Sequence, residues 1–401
     1  MTDFFKLVMY KFGAALGTLL FTLLVVFYYS DEVTETVFSV ILILYLLSIA
    51  SRNGFELLIV KEYHSLIPID RPFWLGNMIK IIFVLSSFYG LVYYFVDIFL
   101  LGNGYALWVL VNLFPFSSLL IFSYYFRARE LKLLSALVEH GSLFLIVSAL
   151  ILIIQAIGGQ VVNPIVILTF TNWLFFLLIF LSLLKFNFAQ FGYASYYEIK
   201  KMLISGSPFM LLAIASYMTL WIPAFVIKIE SPKAFIDYNL AVRFLAPVTF
   251  IITTVDFYLS SHFSRAKVVG DIRRVNNLFT KFRRFFLLAG LGYIALTAIL
   301  LFYAASYFDE ITKQIILFYG VILTGYFASC LIGPCGILLN MYGFVRYANY
   351  ATVISALLII AGVTPVFSYF GAQGVVAFVA ISIVLRNLIM FVFLKYYQML
   401  D

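Results

Sequence analysis

Long apolar runs, separated by short polar clusters, fill this chain from about its tenth residue almost to its end. One helical crossing of a bilayer takes about 20 apolar residues, so the runs predict about twelve transmembrane segments. Strands of a membrane barrel alternate apolar and polar residues, and these runs do not. A helix forms all of its backbone hydrogen bonds within one segment, as the interior of a bilayer requires. We therefore predict an all-α membrane protein with spans near 10–29, 36–60, 75–98, 105–126, 135–157, 163–185, 204–229, 234–262, 285–307, 312–340, 347–369 and 372–397.

Composition excludes the soluble classes of protein. The 401 residues are 64% hydrophobic and 11% charged, whereas soluble domains average about 45–50% apolar and about 25% charged residues. The connectors are too short for a soluble catalytic domain, and no Gly-rich phosphate loop or metal-binding His and Glu spacing occurs. We expect a protein that is not an enzyme and has no cofactor or metal. A membrane-embedded glycan polymerase or glycosyltransferase, which would need a large external loop or an acidic cluster, is the lesser alternative.

Basic residues predict the orientation of the chain. Most of the 26 Lys and Arg residues lie in the connectors on the side of the two termini, whereas the opposite connectors hold mainly acids. The positive-inside rule then predicts an even number of spans with both termini in the cytoplasm. Topology thus accounts for the net charge of +8, and we expect no nucleic-acid partner.

The connectors also predict a division into two lobes. Residues 1–185 and 204–401 would each hold six spans, which is typical of transporters built from parallel repeats. Between them, 186–203 is aromatic and basic, and we predict a cytoplasmic interfacial linker. A later connector, 268–286, repeats apolar residues at steps of four and three with basic residues between them. This pattern predicts an amphipathic helix on the inner leaflet, with a solvated loop as the alternative.

Few ionisable side chains fall inside the predicted spans, where a charge must pair or face water. Arg52 and Glu56 are one helical turn apart, so they can pair with each other. Arg243 and Asp256 share the eighth span but lie too far apart to pair. Arg386 in the last span either snorkels or faces a cavity. For Arg52 and Arg243 there are two alternative roles: a structural ion pair between helices, or the binding of an anionic ligand.

Glycine, proline and cysteine mark the tenth span. Gly333-Pro334-Cys335-Gly336 should interrupt this helix, because proline cannot donate a backbone hydrogen bond. Cys330 and Cys335 lie in the same apolar run, so we interpret both as small buried side chains rather than as a disulfide framework.

Six short segments occur along the chain in a characteristic order: Ser51-Arg52-Asn53-Gly54-Phe55-Glu56, Gly206-Ser207-Pro208-Phe209, Tyr238-Asn239-Leu240-Ala241-Val242-Arg243, the basic loop from Ser264-Arg265 to Gly270-Asp271, Gly333-Pro334 and Phe370-Gly371-Ala372-Gln373-Gly374. In this order and spacing, they resemble the polysaccharide transporter family of the multidrug/oligosaccharidyl-lipid/polysaccharide (MOP) exporter superfamily. That family includes the O-antigen flippases of the Wzx type. The resemblance covers nearly the whole chain.

The resemblance implies two six-helix lobes around a central cavity and transport by alternating access. The implied cargo is an undecaprenyl-diphosphate-linked oligosaccharide, moved from the cytoplasmic to the periplasmic leaflet of a bacterial inner membrane. Arg52 and Arg243 match positions that present cations to the diphosphate, and Arg386 is a further candidate. Glu56 and Asp256 are candidates for coupling to H⁺ or Na⁺.

Expected partners are the lipid-linked cargo, membrane lipids and the glycan polymerase or assembly machinery. A cation-coupled multidrug or metabolite exporter of the same fold is the main alternative. Charge balance favours an anionic cargo, because the candidate residues Arg52, Arg243 and Arg386 outnumber the candidate carboxylates Glu56 and Asp256.

Overall fold

The structure is a computed structural model that describes residues 2–63, 66–102, 104–129, 131–157, 162–192, 195–245, 248–249, 252, 255, 259, 263, 273, 275–284, 290–291 and 313–397. Every regular element within these residues is a helix. Among the described helices, seven are long and apolar enough to cross a membrane. The prediction of an all-α membrane protein is confirmed. Residue contacts divide the chain into two compact units, Met1–Ile214 and Ala215–Asp401, with the boundary inside one helix.

The first unit is built around one central helix, α5, which packs against α2, α3, α4, α6 and α8. Helix α1 lies against α7. A π-helical turn, Asp97–Leu101, extends α4. The helices are α1 (Thr2–Tyr28), α2 (Asp31–Arg52), α3 (Phe55–Glu62), α4 (Arg71–Val96), α5 (Ala106–Ala128), α6 (Lys132–Val138), α7 (His140–Ala156), α8 (Pro164–Lys185) and the first part of α9 (Tyr196–Glu230).

The second unit continues from α9 and is centred on a long final element. Helices α12 and α13 pack against α14, and α10 packs against α12. The elements are α10 (Pro232–Phe244), α11 (275–284), α12 (Lys313–Ile332), α13 (Cys335–Tyr342) and α14 (Val345–Tyr396). Most of the predicted eighth and ninth spans lies outside the described residues.

Helix α14 is two antiparallel segments rather than one rod. Gly371 has φ 63° and ψ −163°, a conformation that is essentially restricted to glycine. On either side of it, the Oγ atoms of Ser355 and Ser382 are 2.6 Å apart and hydrogen-bonded. The chain therefore folds back at Gly371, which agrees with the eleventh and twelfth spans predicted from the sequence.

Among the described residues, three of the predicted spans divide into two described helices. The second divides at Asn53 and Gly54, and the fifth divides at Glu139, whose backbone is extended with ψ 151°. The tenth divides at Gly333, with φ 115°, and Pro334 precedes the next helix. Only the interruption at Gly333-Pro334 was predicted, and it is confirmed.

Side chains from the neighbouring helix α8 support the backbone of α5 around Pro115. A proline has no N–H, so the carbonyl of Val111 loses its partner within the helix. The indole of Trp173 on α8 donates to that oxygen at 3.2 Å. Asn172 donates through Nδ2 to the carbonyl of Asn112 at 3.3 Å and to its Oδ1 at 3.0 Å. Polar side chains of α8 thus fix the segment of α5 that leads to the candidate site.

The segment after α8 is bound to the first unit. Its Gln190 N–H donates to the carbonyl of Pro72 at 3.0 Å, and the Tyr125 hydroxyl donates to the carbonyl of Phe188 at 3.2 Å. The guanidinium of Arg129 lies 3.8 Å from the ring centroid of Phe188, a cation–π contact. Within the predicted linker 186–203, the residues from 196 onward are already part of α9. The division into lobes at 185 and 204 stays a prediction.

The predicted amphipathic helix is observed over 275–284, as α11, but its apolar side does not lie on lipid. Val275 and Phe279 are buried in one cluster with Leu338 and Leu339 of α13 and Leu394 of α14. The periodic pattern correctly predicts the stripe. It does not say which apolar surface covers the stripe, and here protein covers it.

Candidate anion-binding site

The break between α2 and α3 positions the charged residues of the candidate site. Helix α2 ends at Arg52, and Asn53 and Gly54 both have left-handed backbones, with φ 49° and 71°. The Asn53 Nδ2 donates to the carbonyl of Leu203 on α9 at 2.9 Å. A β-carbon on Gly54 would collide with the carbonyl of Gly206, so only glycine fits this close approach.

Arg52 and Glu56 form the ion pair that their spacing predicts. The Arg52 Nε lies 3.5 Å from Glu56 Oε1, and the residues are 4% and 6% exposed. Arg52 is in the last turn of α2 and Glu56 in the first turn of α3. Each charge therefore lies at the helix end whose dipole stabilises it.

Two serines hold the guanidinium in place. Arg52 Nη1 donates to Ser48 Oγ at 2.8 Å, and Ser117 on α5 donates to the same oxygen at 3.1 Å. Both serines are fully buried. The sequence analysis missed these residues because serine is common within apolar spans. The only signal was that Ser48 lies one helical turn before Arg52.

His140 completes the wall of the site on the side of α5 and α7. Its Nε2 donates to the carbonyl of Phe116 at 2.7 Å, and its ring stacks on that of Phe116 with centroids 3.7 Å apart. Tyr45 on α2 meets the imidazole edge-on, with centroids 5.6 Å apart. His140 itself is buried. Glu139 pairs with Arg127 at 2.9 Å.

Part of the hydrogen-bonding capacity of the pair is not used. Arg52 Nε and Glu56 Oε2 are buried and have no hydrogen-bond partner among the described residues. A guanidinium has five N–H donors, and a carboxylate has about four acceptor positions. The site can thus bind an anion at the guanidinium and a small cation or a proton at the carboxylate.

The second unit contributes another pair of buried charged residues. Arg243 lies in the last turn of α10, and Asp237 lies on the same helix; they are 7% and 6% exposed. Tyr238 ties this helix to α9 by donating to the carbonyl of Leu220 at 2.7 Å. Asp237 lies at the start of the predicted eighth span, and the sequence analysis counted it with the acids of the external side rather than with the charges inside the spans.

Of the two remaining predicted site residues, Arg386 and Asp256, the structure describes only Arg386. Arg386 is half-buried on the second segment of α14, next to Asn387, whose amide is hydrogen-bonded to Ser329 of α12. Asp256 lies outside the described residues. Arg52 belongs to the first unit, and Arg243 and Arg386 belong to the second. Their contribution to one diphosphate site stays a prediction.

Metal chemistry finds no support in the part of the chain that the structure describes. No group of three or more His, Cys, Asp or Glu side chains there can hold a metal ion. Cys330 is half-buried and Cys335 is buried, and both are free thiols. Their interpretation as small buried residues is confirmed for Cys335.

The long apolar helices and the buried charges within them define a multi-pass membrane protein. The fold is that of the MOP superfamily transporters, as comparison with solved structures shows. The lipid II flippase MurJ, in an inward closed conformation, matches with a TM-score of 0.76 and 14% identity, over 98% of this chain and 88% of that chain.

Drug transporters share the same fold. The MATE transporter VcmN of Vibrio cholerae matches with a TM-score of 0.66 and 14% identity, over 100% of this chain and 99% of that chain. An outward-facing multidrug resistance MATE family transporter of the MOP superfamily matches with a TM-score of 0.66 and 12% identity, over 98% and 94% of the two chains. The sequence matches no protein-family model and no curated protein. At these identities the similarity establishes the fold.

Proposed function

We propose that the protein is a flippase for an undecaprenyl-diphosphate-linked oligosaccharide, such as an O-antigen repeat unit. It moves the cargo by alternating access from the cytoplasmic to the periplasmic leaflet of a bacterial inner membrane, and both of its termini face the cytoplasm. The glycan polymerase or assembly machinery is the proposed recipient. The fold shared with a lipid II flippase and the resemblance of the sequence to polysaccharide transporters support this proposal.

The observation that carries the proposal is the buried guanidinium of Arg52. Ser48 and Ser117 orient it, and one carboxylate, Glu56, lies beside it at 3.5 Å. A guanidinium keeps its charge when it is desolvated and binds phosphate through two parallel hydrogen bonds. A diphosphate is therefore a suitable competitor for the position that Glu56 now occupies. Arg243 and Arg386 are proposed to bind the same headgroup.

Competition for Arg52 suggests how an ion could be coupled to transport. When phosphate takes the guanidinium, Glu56 loses its cation, and a buried carboxylate without a cation is stabilised by binding H⁺ or Na⁺. Release of the cargo would restore the ion pair and expel the ion. Asp256 is the proposed second coupling residue.

A cation-coupled exporter is the second candidate function. It is favoured by the MATE transporters among the matching structures and by the buried Oε2 of Glu56, which would suit a cationic ligand. The two functions require opposite residues of the same pair. A flippase for an anionic lipid requires Arg52, whereas an exporter of cations requires Glu56 and tolerates loss of the arginine.

The test is surface glycan in a deletion strain that carries variants of this chain. We expect Arg52→Gln to abolish glycan display while the protein still reaches the membrane, and Arg52→Lys to restore part of it, because lysine keeps the charge and loses the bidentate geometry. The double variant Arg52→Gln/Glu56→Gln leaves no buried unpaired charge, so it separates loss of transport from misfolding, and it should also be inactive.

Arg127→Gln is the matched control, because it removes the arginine of a comparable but more exposed ion pair in the same unit. It should display normal glycan. Normal display by the double variant would contradict the proposal. Loss of resistance to cationic dyes in Glu56→Gln, with intact glycan, would support the exporter instead.

A further inference from the structure

One face of α11 is basic and points away from the protein. Val275 and Phe279 are buried, whereas the basic side chains of this helix and of Arg273, two residues before it, are exposed. They are Arg273, Lys281, Arg283 and Arg284. Because the protein core holds the apolar side, the helix presents its cations without needing lipid to fold it.

Two other exposed cations lie at the same end of the second unit. Arg346 is in the first turn of α14, and Lys395 is in its last turn. Phe344, Leu394 and Tyr397 beside them contact the cluster that buries Val275 and Phe279. We call these six exposed side chains the basic end: Arg273, Lys281, Arg283, Arg284, Arg346 and Lys395.

Few acidic residues lie close to the basic end in the sequence. No Asp or Glu occurs from 272 to 308 or from 311 to 400, and Asp271 and Asp401 lie just outside these ranges. Neither the Arg52–Glu56 nor the Arg127–Glu139 ion pair involves the basic end. The cations of the basic end therefore outnumber the acids near them in the sequence, whereas Glu56 alone faces Arg52 at the candidate site.

Aromatic residues place the basic end at the level of lipid headgroups. Tyr347 lies 4.9 Å, centroid to centroid, from both Phe393 and Tyr397, and the hydroxyls of Tyr347 and Tyr397 are hydrogen-bonded. Tyr396 next to them is exposed. Tyrosine clusters of this kind are typical of the membrane interface, where an apolar ring meets a polar layer.

We propose that the basic end is a binding surface for anionic phospholipid headgroups, such as those of phosphatidylglycerol and cardiolipin. The cations lie at headgroup level, where these phosphates are concentrated, and that favours lipid over an acidic protein segment. The surface is separate from the site at Arg52. Through this surface the second unit binds an anionic leaflet, and this binding does not depend on the identity of the cargo.

The test is a binding titration of the purified full-length protein in neutral detergent, with fluorescent phosphatidylglycerol and phosphatidylcholine as probes. We expect preference for phosphatidylglycerol, weakened by salt. Lys281→Gln/Arg283→Gln/Arg284→Gln should lower the affinity for phosphatidylglycerol at least about tenfold and leave weak binding of phosphatidylcholine unchanged.

The control is Lys233→Gln/Lys313→Gln, which removes exposed cations of the second unit that the sequence analysis places in the opposite connectors. It should bind phosphatidylglycerol like the wild type. Equal losses in the two variants, or no loss in the α11 variant, would overturn the proposal. So would displacement of the lipid by equimolar inorganic phosphate or by an acidic peptide. If the α11 variant does not fold, Arg284→Glu alone should weaken binding of phosphatidylglycerol, and unchanged binding would overturn the proposal.

Discussion

Arg52 and Glu56 form a buried ion pair across a break in the helix that would otherwise carry both of them. The chain leaves the helical conformation at Asn53 and Gly54, yet Nε and Oε1 stay 3.5 Å apart. The break separates the end of one helix from the start of the next, and each dipole stabilises the charge beside it. A site of this kind can exchange one ionic partner for another without unfolding a continuous helix.

Substitutions of Arg52 and Glu56 should have strongly non-additive effects on the free energy of unfolding. We expect Glu56→Gln to lower the free energy of unfolding by about 3–5 kcal/mol, because it leaves Arg52 buried beside a neutral group. Arg52→Gln/Glu56→Gln should cost much less than the sum of the two single changes. Unfolding of the purified variants gives the coupling energy.

The Arg127–Glu139 pair is the control. Its side chains are 17% and 22% exposed, whereas those of Arg52 and Glu56 are 5% and 8% exposed. The coupling energy of the control pair should be at most about 1 kcal/mol. Equal coupling in the two pairs would show that burial is not the cause.

The glycine at the break should not tolerate a side chain. Gly54→Ala combines a positive φ with a collision against the backbone of Gly206 and Met210. Gly102→Ala is the matched control, because Gly102 has a similar φ of 66° and no atom within 4 Å of an added β-carbon. We expect about 1 kcal/mol of destabilisation for Gly102→Ala and clearly more for Gly54→Ala. Similar melting temperatures for the two variants would contradict the close contact between α3 and α9.

The polar contact between α5 and α8 should also be measurable. Asn172 is fully buried and donates to both oxygens of Asn112. Asn172→Leu removes the donor and leaves buried acceptors on Asn112, so we expect a loss of about 1–3 kcal/mol in unfolding experiments. Ser182→Ala on the same helix is the control. Its hydroxyl is exposed and bonds only to the preceding turn, so this change should stay within about 0.5 kcal/mol.

Sequence patterns predicted the helices well because lipid leaves the backbone few options. The runs that became α4, α5 and α8 were located to within about one turn at both ends, and the run that became α12 only at its start. The ion pair was predicted from the spacing of four residues, but the structure forms it across a break between two helices rather than within one. Asn53-Gly54 is a typical left-handed dipeptide, yet the apolar residues around it concealed the break.

Tertiary contacts decided what the sequence did not predict. Asp237 is buried because α10 packs against α9 and α12, and no local pattern reports that packing. His140 is buried, and its Nε2 donates a hydrogen bond to the carbonyl of Phe116. The stripe on α11 has the correct period, but only the folded second unit shows that protein covers it. The choice of cargo also depends on tertiary contacts, so the sequence alone does not predict it. An anionic lipid as cargo is therefore a proposal that rests on the site at Arg52.

The most direct test of this account is transport by the purified protein in proteoliposomes. The probes are a fluorescent undecaprenyl-diphosphate oligosaccharide and a cationic dye, and each is compared between wild type, Arg52→Gln/Glu56→Gln and Arg127→Gln. We predict that wild type and Arg127→Gln flip the lipid and that the double variant does not, with no transport of the dye. Transport of the dye by the wild type without flipping of the lipid, or flipping by the double variant at the wild-type rate, would contradict the central claim.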